Sequence, residues 1–253
     1  DFETMCVPIN EKRGDSTTLL QKHVPSAFCL YPVSTWEKRE PLTYFGKNAG
    51  KICLQLIEEE VANAFEFLSI NMPLRISSEQ RKMLFELSQN CGFCGKPLGN
   101  DKVIHHKHHT GEVKFVAHSK CNILARQPLK VTIVCHGLQN FDMKIIVKEL
   151  ASTAGKVTLI PLTTEKYITL GKKAFGLEYR FIDSYKFLQA SLKELAEIQP
   201  EDGFNHLSQH SSPKILELLK RKSIYPYSYF KNWQCYEETE IPDIDAFYND
   251  LNN

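Results

Sequence analysis

Residues 91–122 read CGFCGKPLGNDKVIHHKHHTGEVKFVAHSKCN. Cys91 and Cys94 have the spacing with which one tight turn aims both sulfurs at a single ion, and His118 with Cys121 repeats it from a second segment. The expected product is a closed, tetrahedral zinc site; reduced core cysteines are the alternative. Between the pairs, His105-His106-Lys107-His108-His109 holds more imidazoles than one structural ion can use. They can pack around the zinc, bind a second transition metal, or carry chemistry of their own.

Working outward, Ser77 and Gln80 form a capping-box pair ahead of Met83, Leu84 and Leu87, so a helix delivers the chain to Cys91. Residues 131–135 are an apolar, mostly β-branched run that suits a strand buried on both faces. Residues 54–68 and 141–151 have helical apolar spacing. Short apolar or aromatic runs at 1–8, 26–34, 156–161, 166–170 and 178–182 read as strands, the first two joined by a polar loop around Gly14. A helix is expected over 189–198, and the segment from Lys214, KILELLKRK, reads as an amphipathic helix with a basic end. Strands interleaved with helices give an α/β layer fold. The zinc block sits between a helix and a core strand, as an insertion at 90–127 between halves 1–89 and 128–253.

Charge is balanced over the 253 residues, 31 basic against 30 acidic, so no global polyanion-binding field exists. Its distribution is uneven. Residues 96–130 hold seven Lys or Arg against two acids, a face that could meet phosphates, and residues 236–253 hold six acids and no base. Cys6, Cys29, Cys53, Cys135 and Cys235 are scattered as buried thiols in a reducing compartment would be, which points to an intracellular protein. No membrane span or signal peptide is visible. The chain opens at Asp1, without a methionine and inside a strand-like run, as a fragment would.

Asp1 and Glu3 lie two apart in a strand-like run and so point to one side; Asp142 lies just beyond the 131–135 strand. Carboxylates from separated segments can assemble a two-ion phosphodiesterase site. On spacing alone, an exposed face is the commoner outcome.

DFETM at Asp1, KHVPSAFCLY from Lys22, the cysteine and histidine block, VTIVCHGLQNFDMKIIVKEL from Val131, EKYITL from Glu165, YRFIDSYKFLQASLKELA from Tyr179 and LLKRKSIYPYSYF from Leu218 occur in one order. Together they resemble the exonuclease region of protein-primed, family B DNA polymerases of large DNA transposons and related viruses. The resemblance implies a ribonuclease H-like 3′–5′ exonuclease with a mixed sheet. Asp1, Glu3 and Asp142 would bind a magnesium or manganese pair, and His136, Asn140 and Phe141 would contact a single-stranded primer end. The polymerase would also use primer-template, dNTPs and a terminal protein in its full length, in a nucleus or a viral or transposon replication compartment.

The chain departs from that pattern at His136-Gly137, where relatives carry His-Asn; Asn140 could substitute in part. Tyr179 and Asp183 have the spacing of the third exonuclease motif, but match by position the family's strand before its substrate-side helix, so the pair reads as a decoy. No palm signature is present. The block itself resembles the zinc and His-Asn-His core of recombination endonuclease VII, a ββα module in which His106 falls on the general base, His108 on the second histidine and Asn122 on the metal-binding asparagine. His105 replaces the metal-binding aspartate, which weakens a magnesium site or shifts it toward softer metals. A nicking endonuclease and an inactive DNA-binding remnant are the rival readings. The Tyr-Pro-Tyr at 225–227 reads as an aromatic cluster closing the core, or else as a stacking platform for bases.

Overall fold

The computed structural model describes residues 1–34, 37–125, 130–163 and 167–247. Strands β1 (Phe2–Arg13), β2 (Thr17–Leu30) and β3 (Leu42–Phe45) form an antiparallel sheet in chain order. The expected polar loop is instead an extension of the β1–β2 ribbon, closed by a turn at Gly14, whose φ of +68° suits a residue without a Cβ. A bulge after Glu3 lets Phe2, Thr4 and Met5 all face inward while Glu3 stays half-buried.

Helix α1 (Ala49–Ser69) follows, and then α2 (Ser78–Leu87), which opens on the anticipated Ser77/Gln80 capping box. Strands β4 (Lys102–His106) and β5 (Val113–His118) pair as an antiparallel hairpin and lead directly into α3 (Ser119–Leu124). These three elements make the ββα order that the block's resemblance implied. Strand β6 (Lys130–Cys135) and helix α4 (Asp142–Ala151) come next, then β7 (Lys156–Pro161), β8 (Tyr167–Ala174) and β9 (Leu177–Asp183). The expected start of β8 at residue 166 lies outside the described residues. Short helices α5 (Leu192–Glu197), α6 (Asn205–Ser208) and α7 (Pro213–Leu219) complete the α/β chain, the first shorter than the 189–198 helix expected.

The second large sheet has the order β6-β9-β8-β7, which corrects one expectation. β6 is an end strand and alternates between half-buried and exposed, with Val134 60% exposed, instead of being buried on both faces. A β-branched run therefore marks the strand, but its burial depends on having a neighbour at each edge. β9 shows the alternation fully: Leu177, Tyr179, Phe181 and Asp183 are buried and the residues between them are not.

The chain divides into two compact units, residues 1–58, 132–171 and 181–253 in one and 59–131 with 172–180 in the other. In the first, Met143, Ile146 and Leu150 of α4 are buried at helical spacing. Gly50 opens α1 to α4, since a Cβ there would stand 3.0 Å from Ile145 Cγ2. In the second, Val61, Val116, Ala117, Leu177 and Tyr179 are buried. Among the described residues no helix is long and apolar enough to cross a membrane.

Candidate functional site

The cysteine block forms a knuckle. Gly95 N–H donates to the Cys91 carbonyl at 2.8 Å and Cys91 N–H to the Lys96 carbonyl at 2.9 Å, with Gly95 at a φ of +70°. Gly92 N–H reaches the Val116 carbonyl at 3.0 Å and ties the knuckle to β5, where a Cβ on residue 92 would collide with the Phe115 ring. His118 is the N-cap of α3 and Cys121 lies in its first turn, so one short helix presents both. Ligand atoms of Cys91, Cys94, His118 and Cys121 all lie within 4.8 Å of one another, the only such set of three or more among the described residues.

The site's electrostatics suit a cation. His118 Nε2–H donates to the Pro97 carbonyl at 3.0 Å, which turns Nδ1 toward the Cys94 and Cys121 sulfurs at 3.5 and 3.7 Å. That carbonyl also holds the His118 pKa above its ordinary value. Burial opposes ionisation of Cys91, but the N–H groups of Cys94, His118 and Phe93 outweigh it and bring the thiol down to about 6. Burial, followed by the neighbouring Cys94 and Cys91, pushes Cys121 up to about 11. Adjacent thiolates repel, and a divalent ion relieves that repulsion. By contrast, Cys53 and Cys135 are pushed to about 12 and about 11 chiefly by burial. The five cysteines outside the cluster are not all buried as expected: Cys53 is, Cys6, Cys135 and Cys235 are half-buried, and Cys29 is exposed. All eight cysteines are unbridged. The three thiols and one imidazole can hold a metal such as zinc.

The histidine run is split in its surroundings. His105 Nδ1 and Asn122 Oδ1 are 2.8 Å apart, and the His105 ring packs against Phe93 and Phe115. The Asn122 oxygen thus takes an imidazole N–H. His106 and His108 stand ring to ring at 4.7 Å, and His109 packs against Phe67 at 5.1 Å.

Of the acids predicted for catalysis, Asp142 lies against the start of β1. Asp142, buried at 5% exposure, accepts the Phe2 N–H at 3.1 Å, so it stands against the residue between Asp1 and Glu3. Glu3 accepts Tyr227 O–H at 2.8 Å. Burial raises both carboxyl pKa values; the Asp142 charge adds to the rise at Glu3, and the Asp183 charge to that at Asp142. The oxygens of Asp1, Glu3 and Asp142 are not gathered within 4.8 Å as the cysteine set is. No family model, curated protein or solved structure matches the chain.

Three neighbouring residues behave differently from one another. Asn140 is exposed, and Phe141 packs edge-on against His23 at 5.8 Å. His136 is tied into the protein through both ring nitrogens, Nδ1 to Ser184 Oγ at 3.0 Å and Nε2 to the Ala190 carbonyl at 2.8 Å. That leaves it little capacity for the DNA contact expected of it. Asp183 accepts Gly137 N–H and Gln139 N–H at 2.9 and 3.1 Å and Tyr185 N–H at 3.0 Å, and so fixes the turn that leads into Asp142.

Sequence reasoning missed Tyr227 as a partner of Glu3. The aromatic-rich run around it was the only available signal. Tyr225, Phe230 and Tyr236 stack on one another, as a core-closing cluster does.

Proposed function

We propose that the chain is the 3′–5′ proofreading exonuclease region of a protein-primed family B DNA polymerase, ribonuclease H-like in fold, with the 90–127 module as a structural zinc-binding insertion. The observation that carries this reading is the hydrogen bond from Phe2 N–H to Asp142 Oδ1, which brings Asp142 against the residue between Asp1 and Glu3, 140 positions away in the chain. Asp1, Glu3 and Asp142 are all hard oxygen donors, and that donor chemistry fits magnesium or manganese. When bound, such ions lower the pKa of a water and offset charge on the departing 3′ oxygen of a phosphodiester.

The chain's own residues position and shield that chemistry. Phe2 N–H orients the Asp142 carboxylate, and Tyr227 O–H orients that of Glu3. Asp183 keeps the 137–139 turn in place, so Asp142 enters α4 at a fixed point. Exposed Asn140 and half-buried Phe141 stand beside that acid, where a splayed terminal nucleotide would lie.

The test uses a 3′-labelled single strand with magnesium or manganese. The reading expects stepwise release of mononucleotides, reduced at least about 100-fold by Asp142→Ala, a loss in the range that removing one electrostatic group brings. Internal cuts lost in His106→Ala would instead identify the endonuclease, and binding without cleavage the inactive remnant.

A further inference from the structure

We propose that His106 and His108 form a second metal site, open and exchangeable, for a transition-metal ion that favours imidazole. The two ring centroids are 4.7 Å apart with planes tilted by 44°. Two imidazoles on one ion at a metal–nitrogen distance of about 2.0–2.1 Å, in adjacent coordination positions, put their centroids roughly 4.5–5 Å apart. The pair already has that separation.

The pair is also held there from outside its own hairpin. His108 Nδ1 lies 2.9 Å from Asn71 Oδ1, and since that oxygen can only accept, Nδ1 carries the hydrogen. In the neutral ring the lone pair is then on Nε2, the arrangement a metal-ligating histidine receives from its outer partner. Met72 N–H donates to the His108 carbonyl at 2.6 Å and Arg75 N–H to the Gly111 carbonyl at 3.0 Å, so residues 71–75 run along the turn and clamp it. The fit is close enough that a Cβ on Gly111, which has a φ of +75°, would stand 2.4 Å from the Pro73 carbonyl. A loop fixed by three such bonds pre-pays the ordering that a flexible His-x-His would have to lose.

The donors select the ion. Imidazole suits nickel, copper and zinc, whereas magnesium requires oxygen ligands. The nearest carboxylate in the turn, Glu112, is paired with Lys107 at 2.9 Å, and that pairing also offsets the one cation between the two histidines. His105 is held toward Asn122 and is not a ligand in this arrangement. Positions that the two imidazoles do not fill would be open to water, so the site would exchange its ion, in contrast to the closed cysteine centre.

Calorimetric titration of Ni2+ into protein already carrying one zinc tests the assignment, with released zinc followed by a chromophoric chelator. The expected result is one equivalent of nickel bound without zinc release, abolished in His106→Ala and in His108→Ala. Asn71→Ala should weaken binding about 10–100-fold, the cost of losing an outer-shell partner, and Asn71→Asp, which keeps the acceptor oxygen, should restore it. The Asp variant guards against a simple folding defect in the Ala variant. Nickel uptake that survives in the double variant His106→Ala/His108→Ala, or that releases an equivalent of zinc, overturns the proposal; so does an Asn71→Ala protein that binds as tightly as its parent.

Discussion

Asp183 ends β9 as its last inward-facing residue and accepts three backbone N–H bonds, whereas Asp142 accepts the Phe2 N–H across the chain. Truncating Asp183 leaves three donors to find new partners, and a buried donor without one costs about 1–3 kcal/mol. Asp183→Ala should therefore lower unfolding free energy by about 3 kcal/mol or more in urea titrations; a loss under about 1 kcal/mol would mean those bonds are dispensable. Asp142 has the opposite sign. Its folded-state pKa is raised, chiefly by burial, so its ionised form is penalised in the native protein. Stability linked to this group is fully present below the unfolded carboxyl pKa and is lost as pH rises through the folded one. Asp142→Asn keeps an oxygen for Phe2 N–H and removes the charge, so it should be more stable than the parent at pH 7. That gap should shrink steadily as pH falls toward the carboxylate range. A gap that widens on acidification would show that Asp142 is stabilised as an anion. Asp142 and Asp183 look alike in the sequence, because an aspartate's partners come from distant backbone.

The cysteine and histidine cluster shows how much of an element is legible in the sequence. Its four members are readable because metal geometry restricts spacing within each pair, and the capping box that starts α2 is readable because it is local. The clamp of residues 71–75 on the 107–111 turn is not, since it consists of polar and main-chain bonds from a segment without periodicity. The Tyr227–Glu3 bond is hidden for a similar reason, its partners standing 224 positions apart in the chain. The outer part of the β1–β2 ribbon reads as a loop in the sequence because it is polar on both faces, which removes the alternation that reports a half-buried strand. Because His118 and Cys121 both belong to the start of α3, the metal is expected to fasten that helix to the knuckle. Cys121→Ser should cut zinc affinity by more than the roughly 10–100-fold that loss of an outer-shell partner costs, and amide exchange should quicken in β4, β5 and α3. Unchanged exchange in those elements after zinc loss would mean that the hairpin's own packing suffices to hold them.

With a net charge of +1, the chain offers a polyanion no long-range attraction, so on the proposed reading any affinity for DNA would come from local groups. Within the basic stretch, several cations are already committed: Lys102 Nζ donates to the Phe85 and Ser88 carbonyls at 2.7 and 3.1 Å, and Lys107 pairs with Glu112. Lys96, Lys114 and Lys120 are exposed, and among the described residues of this stretch they are the ones best able to reach phosphates. If all three do, releasing counterions from single-stranded DNA contributes a slope of about −0.7 per contact to log affinity against log salt, or about −2 together. Replacing the three by Gln should flatten the measured slope by that amount and weaken binding for every sequence alike. A slope unchanged by the triple substitution would assign any phosphate contacts to other residues.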